Sequence, residues 1–329
     1  MPASSGTPTR TVIAAANRKL ETFLREHGIE QYQLFPSNEF PTPFTRLPLF
    51  PPIRRTTARK AAQAEDWTVL HSRWDGGGVF KAGPALTIYD EDTLIGLLTL
   101  RSQRLTGPAR LLPIPAPGSG TDPDDPVNVH TLYCLISQLE TTIQGRTPKG
   151  GWGGRAIEKR RGSLNRLAAI TLRFEQPKGA NAFQGKAIRL FDIEYVSTKD
   201  ESCYYIQIHP VVSAWLENYR TFLSLDLRRK LSSLGKALHR FLASQKSNAS
   251  YSVLLSVLFE AIGVHCELRV VKRDAIGQLN RMRDEGFLHS YAIAGNGRSE
   301  PWKLTVLFRE PGSVPTSAPL ADTGHSPSC

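Results

Sequence analysis

Apolar positions recur at helical spacing in several stretches of the chain. Val12, Ile13, Ala16, Leu20 and Leu24 mark an amphipathic helix, with Thr9 or Thr11 as N-cap and Gly28 as its stop. Residues 90–100 read as a helix opened by the acidic first-turn residues Asp90, Glu91 and Asp92. Ile157, Leu164, Leu167 and Ala168 share one arc of a helix that begins near Gly154. Residues 225–243 predict a further amphipathic helix, and 251–262 an apolar one. Ala275, Ile276, Leu279 and Met282 give a core-facing stripe to a basic helix over 272–285, which ends at Gly286.

Period-two alternation predicts strands at 67–74, 170–174, 187–196, 202–208, 287–294 and 302–309. Turns fall at 76–78, 197–201 and Gly295-Asn-Gly-Arg298. Residues 129–139 fit a strand, a helix, or one following the other. The run 36–52 contains six prolines, which can neither continue a helix nor occupy a central strand, and it predicts a linker or arm. The tail 311–329, rich in Pro, Ser and Gly, is predicted to be disordered.

The order of elements repeats. A basic helix followed by a hairpin occurs at 154–208 and again at 272–309, the outline of a winged-helix unit. The expected fold is α+β: an N-terminal arm with a short helix and proline-rich linker over 1–65, winged-helix domains over 66–212 and 213–310, and the tail. A length of 329 residues fits two domains with extensions.

Charge sharpens this picture. Lys and Arg total 41 against 30 Asp and Glu, a net charge of +11, which points to a polyanionic partner. Much of the excess lies in 146–173, where Arg146, Lys149, Arg155, Lys159, Arg160, Arg161, Arg166 and Arg173 face the single acid Glu158. On that helix Arg155, Lys159, Gly162, Asn165 and Arg166 lie roughly opposite the apolar arc. Arg160 and Arg161 fall near the arc and must snorkel outward or contact phosphate. On the second basic helix Arg273, Gly277, Asn280, Arg281 and Asp284 face outward. Arg pairs with guanine edges, Asn with adenine, and an absent side chain permits close approach in a major groove. Lys272 belongs to the same helix, Arg298 sits at the tip of the following hairpin, and Lys303 lies beyond it.

Other chemistries find little support. None of the eight histidines has a His partner two residues away, so the metal pair of a nicking enzyme is missing, and Tyr204-Tyr205 reads as strand packing. The glycine loop 179–186 has the wrong spacing for a phosphate loop and is followed by a strand. Asp122, Asp124 and Asp125 lack metal-ligand spacing, and Cys134, Cys203, Cys266 and Cys329 form no C-x-x-C pair. A non-enzymatic chain without metal or cofactor is expected. With neither a secretory apolar region nor a membrane-length apolar run, a cytoplasmic location is expected. One short motif, Gln31-Tyr-Gln-Leu34-Phe35, resembles the pentapeptide with which bacterial proteins bind the sliding clamp; Gln31, Leu34 and Phe35 carry the match. Arg46-Leu-Pro-Leu-Phe50 has a related ending but lacks the Gln.

Three segments carry a wider resemblance: SLNRLAAITL at 163–172, NYRTFLSLDLRRKLSSLGKALHRFL at 218–242 and KRDAIGQLNRMRDEGFL at 272–288. They are similar to the tandem winged-helix replication initiators of bacterial plasmids, the TrfA-like and RepA-like proteins that bind iterons, over roughly 44–309. Arg161 departs from the apolar residue expected in the first recognition helix. The resemblance implies binding to repeated double-stranded origin sites, melting of adjacent AT-rich DNA, and recruitment of host initiator, replicative helicase and clamp. It also implies a monomer–dimer equilibrium. The alternatives are a winged-helix autorepressor, which would bind an inverted repeat as a dimer, and a nicking initiator.

Overall fold

Proline placement decides the first element of the computed structural model, which describes residues 39–53, 67–74, 77–100, 130–178, 183–197 and 202–308. The helix expected at 12–24, the peptide Gln31 to Phe35 with its residues Gln31, Leu34 and Phe35, the Asp122–Asp125 loop and the tail 311–329 lie outside these residues. Within the proline-rich run, strand β1 (Glu39–Pro41) pairs antiparallel with β9 (Arg220–Phe222), and the short helix α1 (Thr42–Thr45) follows with proline in its first turn. Phe40, Phe44, Leu47, Leu49 and Phe50 are fully buried, and the Phe44 ring meets Trp215 edge-on at 5.4 Å.

The expected linker is therefore, over 39–53, a strap built into the core. Prolines exclude a helix interior and a central strand, but they leave room for an irregular segment whose apolar side chains each gain about 1.5–3 kcal/mol on burial. Burial of Leu47, Leu49 and Phe50 also removes the second clamp-like ending from any partner's reach.

The first lobe contains β2 (Thr68–Trp74), β3 (Gly77–Ala82), α2 (Ile88–Leu100), β4 (Thr131–Leu135), α3 (Ile136–Gln144), α4 (Gly154–Ala169), β5 (Thr171–Pro177), β6 (Phe183–Arg189), β7 (Phe191–Ser197), β8 (Ser202–Ile208) and α5 (Pro210–Asn218). Its strands form two antiparallel sheets, ordered β2-β3-β5-β6 and β4-β8-β7. The ambiguous segment 129–139 is a strand running directly into a helix. The single strand expected at 187–196 breaks at buried Leu190, so that β6 and β7 join different sheets. Helices α2, α3 and α4 pack together. Gly96 is required there, since a Cβ would lie 2.6 Å from Ile143 on α3.

In the second lobe α6 (Leu225–Lys230), α7 (Ser233–Ala243), β10 (Ser250–Leu254), α8 (Leu255–Ala261), α9 (Leu268–Asp284), β11 (Ser290–Ala294) and β12 (Lys303–Leu307) follow β9. The one helix expected over 225–243 is two, because Ser224 and Ser232 each cap a new start by accepting from the N–H of Leu227 and Gly235. The helix expected over 251–262 begins as strand β10. It pairs antiparallel with β12, and β12 in turn with β11, placing Tyr251 opposite Val306 and Val253 opposite Leu304. The boundary expected at 212/213 falls inside α5, whose Trp215 packs on Phe174 of β5 and on Phe44 of the strap. The fold is a mixture of helix and antiparallel sheet in two lobes with a shared core.

Candidate nucleic-acid interface

Helix α4 opens from a glycine-rich turn in which Gly150 and Gly151 take positive φ, and its N-cap Gly153 supplies no side-chain bond. Its N-terminal N–H groups and the exposed Arg155 and Lys159 present positive potential in one place. Lys159 stands 4.3 Å from the centre of the Tyr89 ring, and Asn165 is exposed two turns on.

The inward face is centred on Arg160, Ser163, Leu164 and Leu167, so the helix is rotated from the expected phase. Arg160 is corrected on this point: at 1 % exposed it neither snorkels outward nor is within reach of a phosphate in solvent. Its Nε donates to Glu140 Oε2 at 2.5 Å and its Nη1 to Thr93 Oγ1 at 2.6 Å. Arg166 is likewise drawn inward, donating from Nε and Nη2 to Asp90 Oδ1 at 3.1 and 2.5 Å. Arg161 donates to Tyr204 Oη at 3.1 Å and to Glu158 at 2.8 Å, and Arg173 pairs with Glu175 at 3.0 Å. The buried carboxylates of Glu140 and Asp90 thus neutralise two of the arginines that the local charge count left unpaired.

Those carboxylates belong to a buried ionic layer. Asp90, Glu91 and Asp92 on α2 are all buried. Arg228 of α6 donates from Nε and Nη2 to Asp92 Oδ1 at 3.0 and 2.9 Å, and its Nη1 lies 3.1 Å from Glu91 Oε1. Burial disfavours charge on Arg228, yet Glu91 and Asp92 hold its pKa above the usual value. Arg240 of α7 donates to Glu91 Oε2 at 2.8 Å, and Lys236 to Asp92 Oδ2 at 2.5 Å. Through α2, therefore, α4 of the first lobe is tied to α6 and α7, and α7 packs on α9.

On α9 the buried stripe is Val271, Ala275, Leu279 and Met282. Arg269, Arg273, Gly277 and Arg281 are exposed on the rest of the surface. Arg273 has 82 % side-chain exposure, with Asp274 at 3.8 Å. Arg281 donates from Nη1 to the carbonyl of Lys230 at 2.6 Å, and Asn280 accepts from Tyr291 Oη at 2.8 Å, which leaves its amide NH2 for other partners. Lys272 lies over the Trp302 ring at 4.2 Å and so links the helix to the hairpin. Asn296 Oδ1 accepts from the N–H groups of Arg298, Ser299 and Glu300, fixing the turn that holds Arg298 in solvent. The helix starts four residues before the expected 272 and so includes Arg269, which the expected span leaves out. Leu268 and Val271, continuing the apolar spacing, were the available signal.

Beside α4 an open groove of ≈ 720 Å³ runs along β7 and β8, lined by Arg161, Asn165 and Ala168 on one side and Arg189, Tyr195 and Tyr204 on the other. Tyr195 is 67 % exposed and tilted against Tyr204 at 5.7 Å. Arg189 and Tyr195 fall in the strand expected at 187–196, which by itself assigns them no part in a site. Among the described residues no group of three His, Cys, Asp or Glu is placed to hold a metal ion, and no helix is long and apolar enough to cross a membrane.

No protein-family model matches the chain, and no curated protein matches it by sequence. Its fold is nevertheless similar to two crystal structures of domains 2 and 3 of RctB. One, of the selenomethionine derivative, shares 14 % identity at a TM-score of 0.50, covering 81 % of this chain and 97 % of that one. The other, RctB residues 155–483, shares 15 % identity at a TM-score of 0.50, covering 81 % of this chain and 96 % of that one. At such identity the likeness is one of fold.

Proposed function

We propose that this chain is a sequence-specific, non-enzymatic DNA-binding protein that initiates replication, with two winged-helix units that each set a helix against double-stranded DNA. The observation that carries the reading is α9: an arginine stripe with Asn280 on the face away from its core, followed by a braced hairpin that lifts Arg298 beside it. Arg269, Arg273, Asn280 and Arg281 would read or approach base edges. Lys272, Arg298, Arg155 and Lys159 would hold phosphates, with Asn165 available on α4. The order α7, β10, α8, α9, β11, β12 fits a winged helix, and α4 with β5 and β6 offers the corresponding helix and hairpin in the first lobe. RctB is a replication initiator, and the fold shared with its second and third domains supports an initiator role here. On this reading the DNA is a set of direct repeats at an origin, the adjacent duplex is opened, and host initiator and helicase are recruited. Gln31, Leu34 and Phe35 would then engage the clamp.

The test is selection from a random-sequence duplex pool with the full chain. One defined sequence should be enriched, and a chain carrying Arg273→Ala and Arg281→Ala should lose that enrichment. Enrichment of no sequence overturns the reading.

A further inference from the structure

Gly277 lies in the middle of the seventeen-residue α9, exposed, with no atom of the described residues within 4 Å of the place a Cβ would occupy. Two other helical glycines behave differently. A Cβ on Gly96 would meet Ile143 at 2.6 Å, and one on Gly235 would meet Gln278 at 2.3 Å. Nor does Gly277 take a positive φ, so its backbone conformation is open to any residue. A glycine inside a helix destabilises it relative to alanine, because the unfolded chain has more freedom to lose. Neither packing among the described residues nor backbone geometry offsets that cost.

The position is flanked at i−4 and i+4 by Arg273 and Arg281, at i+3 by Asn280 and at i−3 by the acid Asp274, which lies 3.8 Å from Arg273. The result is a notch between two guanidinium-bearing side chains, about 12 Å apart along the axis at their Cα atoms. We infer that Gly277 is where the α9 backbone lies against the base-pair edges of duplex DNA, and that its missing side chain sets how deeply the helix sits. The inference rests on the DNA-binding reading above and names the residue that sets the approach. A side chain there would hold the helix off the bases and withdraw Arg273, Asn280 and Arg281 from them together.

The experiment uses the full chain and the duplex it enriches from the random pool. Gly277→Ala, Gly277→Leu and Arg273→Ala are compared with the unmodified chain in thermal denaturation and in equilibrium binding. Gly277→Ala should raise the melting temperature while weakening binding, and Gly277→Leu should cost at least about tenfold in affinity. A lowered melting temperature in Gly277→Ala would mean an internal role for the glycine and overturn the inference. So would unchanged affinity in both Gly277 variants when Arg273→Ala binds poorly, a result that leaves the DNA-binding reading standing. If Arg273→Ala also binds normally, the helix is not at the interface and both readings fall.

Discussion

Arg228 and Asp92 stand 136 positions apart in the chain and 2.9 Å apart in the fold, joining the second lobe to α2 of the first. Each is nearly inaccessible, and Glu91, Arg240 and Lys236 complete the layer around them. Removing one partner of a buried pair leaves the other charged and desolvated, which costs about 3–5 kcal/mol. Arg228→Met should therefore lower stability by that order in denaturant titrations followed by circular dichroism. A loss below about 1 kcal/mol would place the pair among weak surface contacts.

Neighbouring residues on α4 should separate into two behaviours. Arg160→Met strands Glu140 in the core and should destabilise the fold, with little change in the DNA affinity of the folded protein. Lys159→Ala should do the reverse, leaving stability nearly intact while weakening duplex binding across sequences. It should also reduce the slope of log affinity against log salt by about 1. Denaturation and salt-dependent titration of both variants check this; equal binding losses in the two would contradict the inward placement of Arg160.

His209 caps α5, its Nδ1 accepting the N–H of Val211 at 3.2 Å, which requires a neutral ring. Burial, and then the charge of Lys186, lower its pKa from 6.5 to about 4, against a smaller opposing pull from Asp192. Between those values the unfolded chain binds the proton more readily than the folded one. The contribution is thus fully present above pH 6.5 and is lost as pH falls toward 4. His209→Asn keeps a capping oxygen without the titration and should flatten the fall in stability over that interval. Denaturation midpoints at several pH values would show it, and parallel curves for the two proteins would refute it.

Local periodicity made α9 and its hairpin legible: Ala275, Leu279 and Met282 form the buried stripe expected, and Arg273 and Gly277 face outward. What escaped was set by distant partners. Glu140 and Asp90 lie 20 and 76 residues before Arg160 and Arg166, so a count of nearby charges could not show that these arginines were satisfied. Tyr251 and Val253 have helical neighbours in sequence, but their ladder with β12 makes them strand. The strap 39–53 was hidden for a related reason. Its prolines spoke against regular structure, and only the tertiary fold reveals that Phe40, Phe44 and Phe50 pack inside it.

On the proposed function, α9 reads base sequence in a duplex. The most direct test is the ratio of equilibrium affinities, at about 0.15 M salt, for the enriched duplex and for a shuffled duplex of equal length. A ratio of about a thousand or more, falling steeply in Arg273→Ala, is the predicted result. Equal affinities for the two duplexes, unchanged by Arg273→Ala, would contradict it.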